Sequence, residues 1–237
     1  MVTAFGQAGR SAVESPVALV ATAHREGSSG PSQDRVFVGS WSVVVMDGAS
    51  PSLPDERDGG WLADELGVAL MARLEADERI DLAVALRDSI AAVVERFDLV
   101  PGRAPSTTVS IARWSPTTVD ILVLGDSPVA VRRRDRAIQV LRQPASGDWI
   151  LGELRGAVRA AYPADQLEAI LMLTDGAAAG IDFYGTPPDW STAIDMALDP
   201  QALLDTIHAL EADDALGSKW PRPRLHDDKA LARITLL

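Results

Sequence analysis

Apolar residues recur along the chain with two different periods, and the changes between them divide it into elements. Val17 to His24 (VALVATAH) predicts a strand, and a loop rich in Gly, Ser and Pro follows to Gln33. Trp41 to Met46 (WSVVVM) predicts a buried strand that stops at the turn signal Asp47-Gly48. Two amphipathic helices come next. Leu62, Leu66, Ala69, Leu70 and Leu74 share one face of Trp61 to Ala76, and Leu82, Leu86, Ile90, Val93, Val94 and Phe97 share one face of Ile80 to Phe97. From Thr107 the period drops to two. Thr107 to Trp114, Thr118 to Leu124, Pro128 to Arg133 and Ala137 to Leu141, joined by short turns, predict an antiparallel meander. Leu167 to Leu173 predicts another buried strand, ending at Thr174-Asp175-Gly176. Helices are expected over Trp190 to Leu198 and Pro200 to Leu210, then a polar, Pro-rich segment from Gly217 to Arg224 and a last strand, Lys229 to Leu236.

These elements do not alternate as βαβ units must, which excludes a doubly wound parallel sheet and gives an α+β class. The simplest arrangement is a four-layer αββα sandwich: two central antiparallel β-sheets packed face to face, with helix pairs on their outer faces. With 237 residues, 47% of them hydrophobic, the expectation is a single domain over 1–237. The chain has no cysteine, which removes disulfides, a thiolate nucleophile and sulfur-ligated zinc, and suits a reducing compartment. Met1 to Arg10 lacks the basic start and apolar run of a signal peptide. No apolar stretch approaches the roughly 20 residues of a membrane span, so the expected location is cytoplasmic, with no membrane partner. A formal charge of −12 argues against nucleic acid as a partner. Arg132 to Arg134 with Arg136 forms the one basic run and reads as a solvated hairpin end.

The acids are the more informative charges. Two apolar strands each end in Asp-Gly, at Asp47 and Asp175, while Asp34 directly precedes Arg35 to Val38 and Asp227-Asp228 precede the last strand. An acid next to a buried run sits at a sheet edge, where its carboxylate can leave the core while its backbone stays fixed. Four such carboxylates in one place make an all-oxygen ligand set that selects Mg²⁺ or Mn²⁺ over zinc. A single Asp-Gly is more often a turn than a site. The order of the motifs along the chain carries the argument.

That order resembles the PP2C family of metal-dependent serine/threonine phosphatases, the PPM superfamily, in a bacterial, actinobacterial form. The family's Asn/Ser-Gln-Asp is matched by Ser32-Gln33-Asp34, its strand-Asp-Gly by Val45-Met46-Asp47-Gly48, and its Thr-Thr strand by Ser106-Thr107-Thr108-Val109. Gly-Asp-Ser is matched by Gly125-Asp126-Ser127, Ser/Thr-Asp-Gly by Thr174-Asp175-Gly176, and Asp-Asp-Asn by Asp227-Asp228-Lys229. The resemblance implies that Asp47 bridges two Mn²⁺ or Mg²⁺ ions, that the Gly48 carbonyl binds one, and that Asp175 and Asp228 bind on the opposite side. Asp34 would act there directly or through water. It implies a catalytic role for Asp47 and Asp175, and Arg25 lies in the loop where the family keeps its phosphate-binding arginine. The implied activity is hydrolysis of phosphoserine and phosphothreonine in proteins. A pair of divalent ions would activate a water for in-line attack on phosphorus, with no protein nucleophile. The partner would be a phosphorylated protein substrate in a signalling pathway, and the resemblance implies no dimer, so a monomer is expected.

Several positions depart from the family pattern. Asp47-Gly48 continues with Ala49-Ser50-Pro51 rather than His or Met and two glycines, so a histidine general acid is missing there, and leaving-group protonation would come from metal-bound water or from another residue such as His24. Pro51 to Gly60 is a turn-rich insertion at the rim. Ala179 stands where a third ion's Asp is usual, so a third site on Asp126, with Asp182 a distant substitute, would be weak or absent. Lys229 replaces an Asn and is expected to reach solvent. Gln143 to Ala164 reads as a small flap, and Trp149, Trp190 and Trp220 as core or flap residues. These departures keep open a second function, a catalytically silent PP2C-like binding or regulatory module, and a third, an esterase for a small phosphorylated metabolite.

Overall fold

The structure, a computed structural model, describes residues 3–4, 11–14, 18–28, 30–49, 57–100, 102–143 and 156–237, the first two segments as backbone only. Its strands in the first half are β1 (Thr3–Ala4), β2 (Ser11–Glu14), β3 (Ala18–Arg25), β4 (Arg35–Val38), β5 (Ser42–Met46), β6 (Gly48–Ala49) and β7 (Ser106–Thr107). Those in the second half are β8 (Val109–Trp114), β9 (Thr118–Leu124), β10 (Val129–Arg133), β11 (Ile138–Leu141), β12 (Val158–Pro163), β13 (Leu167–Leu173) and β14 (Lys229–Leu236). The helices are α1 (Gly59–Ala76), α2 (Leu82–Phe97), α3 (Asp175–Asp182), α4 (Trp190–Met196) and α5 (Pro200–Asp213).

Two six-stranded antiparallel sheets, ordered β1-β4-β5-β8-β9-β12 and β11-β10-β13-β14-β3-β2, form the centre, and β6 and β7 pair separately. Strand alternation assigns each side chain to a layer. Val43 and Val45 of β5, Ile170 and Met172 of β13, and Ala232 and Ile234 of β14 meet in the core between the sheets. Val44 and Met46 pack under α1 and α2. Ala169, Leu171, Leu173 and Leu231 pack under α3, α4 and α5. The outer layers thus hold two helices on one side and three on the other, where a pair was expected. Four of the many acids are spent on helix starts: the carboxylates of Asp58, Asp81, Asp189 and Asp199 accept backbone N–H groups at the N-termini of α1, α2, α4 and α5.

Several expectations change. The predicted meander is split, because β8 and β9 belong to the first sheet while β10 and β11 belong to the second, and the chain crosses between them at Gly125-Asp126. The stretch read as a flap contains β12, which pairs with β9 from Thr118 to Val123. Residues 144–155, with Trp149, lie outside the described residues, as do 51–56 of the rim insertion. Trp190 and Trp220 are half-buried. Asp175 is not in a turn: it opens α3.

Two basic side chains expected in solvent are buried, and parity explains both. Arg132 shares a strand face with Ala130, so it enters the helix layer and pairs with Glu168 at 2.8 Å and Asp195 at 2.5 Å. Lys229 shares a face with Leu231 and is 0% exposed, with its Nζ 2.7 Å from Glu211 Oε2 on α5. Strand direction overrides the tendency of long cationic side chains to reach water when a carboxylate waits inside.

Candidate metal centre

The predicted acids gather where the two sheets meet. Asp34 and Asp47 flank the paired strands β4 and β5 of one sheet, while Asp175 and Asp227-Asp228 flank the paired strands β13 and β14 of the other. Asp126 lies at the crossing between sheets.

Each is fixed by its neighbours. Arg35 grips Asp64 of α1 through two bonds of 2.6 and 2.8 Å and donates Nη1 to the Ser32 and Asp34 carbonyls, so the Ser32–Asp34 turn is tied to a helix. Asp47 is held by the Thr-Thr pair: its N–H donates to Thr108 Oγ1 at 3.1 Å, and its carbonyl accepts from Thr107 Oγ1 at 3.0 Å and Thr108 N–H at 2.9 Å. Thr108 in turn shares a 2.7 Å hydroxyl bond with Ser127, which joins this turn to the Gly125-Asp126-Ser127 crossing. Gly125 there has φ +111° and presses on Thr108, and a Cβ would lie 2.7 Å from that side chain. Gly48 meets the first turn of α1 backbone to backbone, where a Cβ would come within 2.4 Å of Gly59.

The electrostatics are those of a dense acidic cluster. Asp34 is 3% exposed, and its Oδ2 is buried without a hydrogen-bond partner. Burial pushes the Asp34 carboxyl well above the usual range. A hydrogen bond from Thr174 opposes this, and the charges of Asp228, Asp175 and Asp227 add to it. Burial likewise raises Asp47, followed by the charges of Asp34 and Asp175, a hydrogen bond to Asp175, and the charge of Asp126. Burial and Asp175 raise both Asp126 and Asp227, with Arg224 holding Asp227 back. An all-carboxylate set with an orphaned buried oxygen fits a hard divalent cation.

Asp228 has a second engagement that its motif did not announce. Its Oδ1 accepts Gly27 N–H at 2.7 Å and its Oδ2 accepts Gln33 N–H at 2.9 Å, so the carboxylate staples the loop between β3 and β4. A carboxylate oxygen keeps a further lone pair after such a bond. Arg25 shares a strand face with Ala23, is turned to the helix layer and pairs with Asp205 of α5. His24, one residue earlier, is on the opposite face, and its pKa is lowered by burial, against the charge of Asp228. Asp182 pairs with Arg142 at 2.7 Å. A cleft of about 230 Å³ opens beside Asp175 and Asp227, walled by Phe183, Tyr184, Pro221 and Pro223.

A family model described as protein phosphatase 2C matches residues 22–207. The chain belongs to the protein phosphatase 2C family. No curated protein matches it significantly in sequence. Among solved structures, the Mycobacterium tuberculosis serine/threonine phosphatase PstP/Ppp is 15% identical with TM-score 0.66, over 93% of this chain and 99% of that one. The catalytic domain of PstP in complex with two manganese ions gives 16% and 0.67 over 93% and 99%. RsbX in complex with magnesium gives 11% and 0.58 over 97% and 100%. At these identities the structural likeness establishes the fold, the two-sheet sandwich predicted from periodicity. Among the described residues no helix is long and apolar enough to cross a membrane.

A second group, His208, Glu211 and His226, has ligand atoms within 4.8 Å of one another. Its carboxylate already holds the Lys229 ammonium, and His208 has its pKa lowered to about 4 by burial and then by His226, Arg25 and Lys229. The surroundings are those of a built-in cation.

Proposed function

We propose that this protein hydrolyses phosphoserine and phosphothreonine esters in phosphorylated proteins, using Mn²⁺ or Mg²⁺ held by Asp34, Asp47, the Gly48 carbonyl, Asp175 and Asp228, with Asp126 at the rim. The observation that carries this reading is the orphaned, buried Oδ2 of Asp34 among carboxylates whose charges add to burial in raising the pKa of Asp34 and Asp47. Divalent cations bound there would bring the pKa of a water toward neutrality and offset charge that builds on the phosphoryl oxygens. The chain's own work is positional. Thr107 and Thr108 fix Asp47 from both sides of its peptide unit, Arg35 fixes Asp34, and the start of α3 fixes Asp175. Burial lowers the pKa of His24, which disfavours the protonated form that a donor to the leaving alkoxide would need. Arg25 would have to leave Asp205 to reach a phosphoryl group, so this reading gives phosphoryl recognition chiefly to the cations. The same reading takes the chain as one domain, acting as a monomer in cytoplasmic signalling.

The staple that Asp228 makes to Gly27 and Gln33, with Ala49 and Ala179 at two family positions, favours the second reading, a silent binding module. One experiment separates them: phosphate release from p-nitrophenyl phosphate and from a phosphothreonine peptide, with and without manganese, beside calorimetric manganese titration. Turnover of the peptide that requires manganese supports the phosphatase. Manganese uptake with turnover of neither compound supports the silent module, and turnover of the small ester alone supports a metabolite esterase.

A further inference from the structure

We infer that the buried Lys229–Glu211 pair is a positioning device that sets the Asp227 and Asp228 carboxylates for cation binding. The inference rests on the cation-site reading above.

The Glu211 carboxylate is a hub. It accepts Lys229 Nζ at 2.7 Å and Tyr184 OH at 3.2 Å, and it shares a 2.8 Å bond with His226 Nδ1. Lys229 Nζ also donates to the Asp227 carbonyl at 2.8 Å. His226, Asp227 and Lys229 are therefore all tied to one side chain of α5, directly or through the ammonium. Asp228, the remaining residue of that run, is tied through its own carboxylate to Gly27 and Gln33. No residue from 226 to 229 is free to turn without breaking a bond.

Stability alone is a poor reason for this arrangement. Lys229 is 0% exposed and Glu211 1%, so both charges have left water, a cost that an apolar pair of the same shape would avoid. Glu211 also lies in the last turn of α5 (Pro200–Asp213), where the negative end of the helix dipole disfavours a carboxylate. What the pair supplies is geometry. Apolar side chains would fill the space, but they would not hold the Asp227 carbonyl or the His226 ring at a fixed bearing. The backbone that carries two acids of the candidate site would then be set by packing alone.

The test replaces both members at once, Glu211→Leu with Lys229→Met. The double change leaves the net charge unaltered, so it does not shift cation affinity through the overall field. Two quantities are read: the thermal midpoint in chelator, and the manganese dissociation constant by calorimetry. A midpoint equal to or above wild type, with manganese bound about 10-fold or more weakly, supports the inference, since loss of groups that orient ligands typically costs 10- to 100-fold in metal affinity. If the double variant does not fold, Glu211→Gln with Lys229→Met keeps more of the shape at the same net charge, and the same weakening is expected. A folded variant whose manganese constant stays within about twofold of wild type overturns the positioning role and leaves the site standing. A wild-type protein that takes up no manganese overturns the site, and the inference with it.

Discussion

Asp34→Asn should stabilise the metal-free protein and destabilise the metal-bound one. Without metal, Asp34 is a 3%-exposed carboxylate with one unpartnered oxygen, facing the charges of Asp228, Asp175 and Asp227. Leaving a buried polar atom unsatisfied costs about 1–3 kcal/mol, and the neutral amide removes the repulsion as well. At about 2–4 °C per kcal/mol for a chain of this size, the midpoint in chelator should rise by roughly 2–12 °C. With manganese at a hundred times its dissociation constant, wild type gains about 2.7 kcal/mol by mass action. That corresponds to about 5–10 °C, most of which the variant forgoes because it has lost a ligand charge. The two melting curves should therefore exchange order between chelator and manganese, read by differential scanning fluorimetry or calorimetry. A variant that melts below wild type in chelator, or that gains as much from manganese as wild type does, refutes the reasoning.

Two further outcomes follow from the same geometry. The raised pKa values of Asp34 and Asp47 mean that the folded protein holds protons more tightly than the unfolded chain. The stability these groups allow is thus present below the ordinary carboxylate range and is lost as pH rises through the folded values. In chelator, the stability difference between Asp34→Asn and wild type should widen from about pH 4 upward, and thermal melts that show it constant or narrowing count against the cluster. Arg25→Ala removes a half-exposed ion pair to Asp205, worth at most about 1 kcal/mol of stability, and should leave kcat/KM for a phosphopeptide close to the wild-type value. A larger loss in steady-state kinetics would mean that the guanidinium leaves Asp205 for the phosphoryl group.

Much of this fold was legible because burial leaves a periodic trace. The strands around Val43–Met46 and Leu167–Leu173 and the faces of α1 and α2 are written as runs of apolar residues at periods of two and 3.6. The strand β12 was not legible. VRAAYP is an edge strand with alternate residues exposed, and its small apolar side carries little signal. The helix α3 was hidden by composition, since Asp-Gly-Ala-Ala-Ala-Gly reads as a turn until the sheet above fixes its course. The four acids flanking β4, β5, β13 and β14 were found from strand ends and motif order. The threonines that hold Asp47 were visible as a motif, but their bonds were not. Lys229 and Arg132 were misplaced for one shared reason: a local sequence shows a charge but not the partner brought to it from 18 or 63 residues away.

The crossing at Gly125-Asp126 and the four flanking acids give the candidate centre a divided support: half of it hangs from one sheet and half from the other. A cation there would act as a rivet through both plates, and its grip would depend on how the plates sit rather than on any single loop. A slight slide of one sheet over the other, such as a larger side chain at Val45 or Ile170 would force, would part the acids without touching one of them. In this molecule a fault deep in the greasy middle would be felt first as a loosened ion.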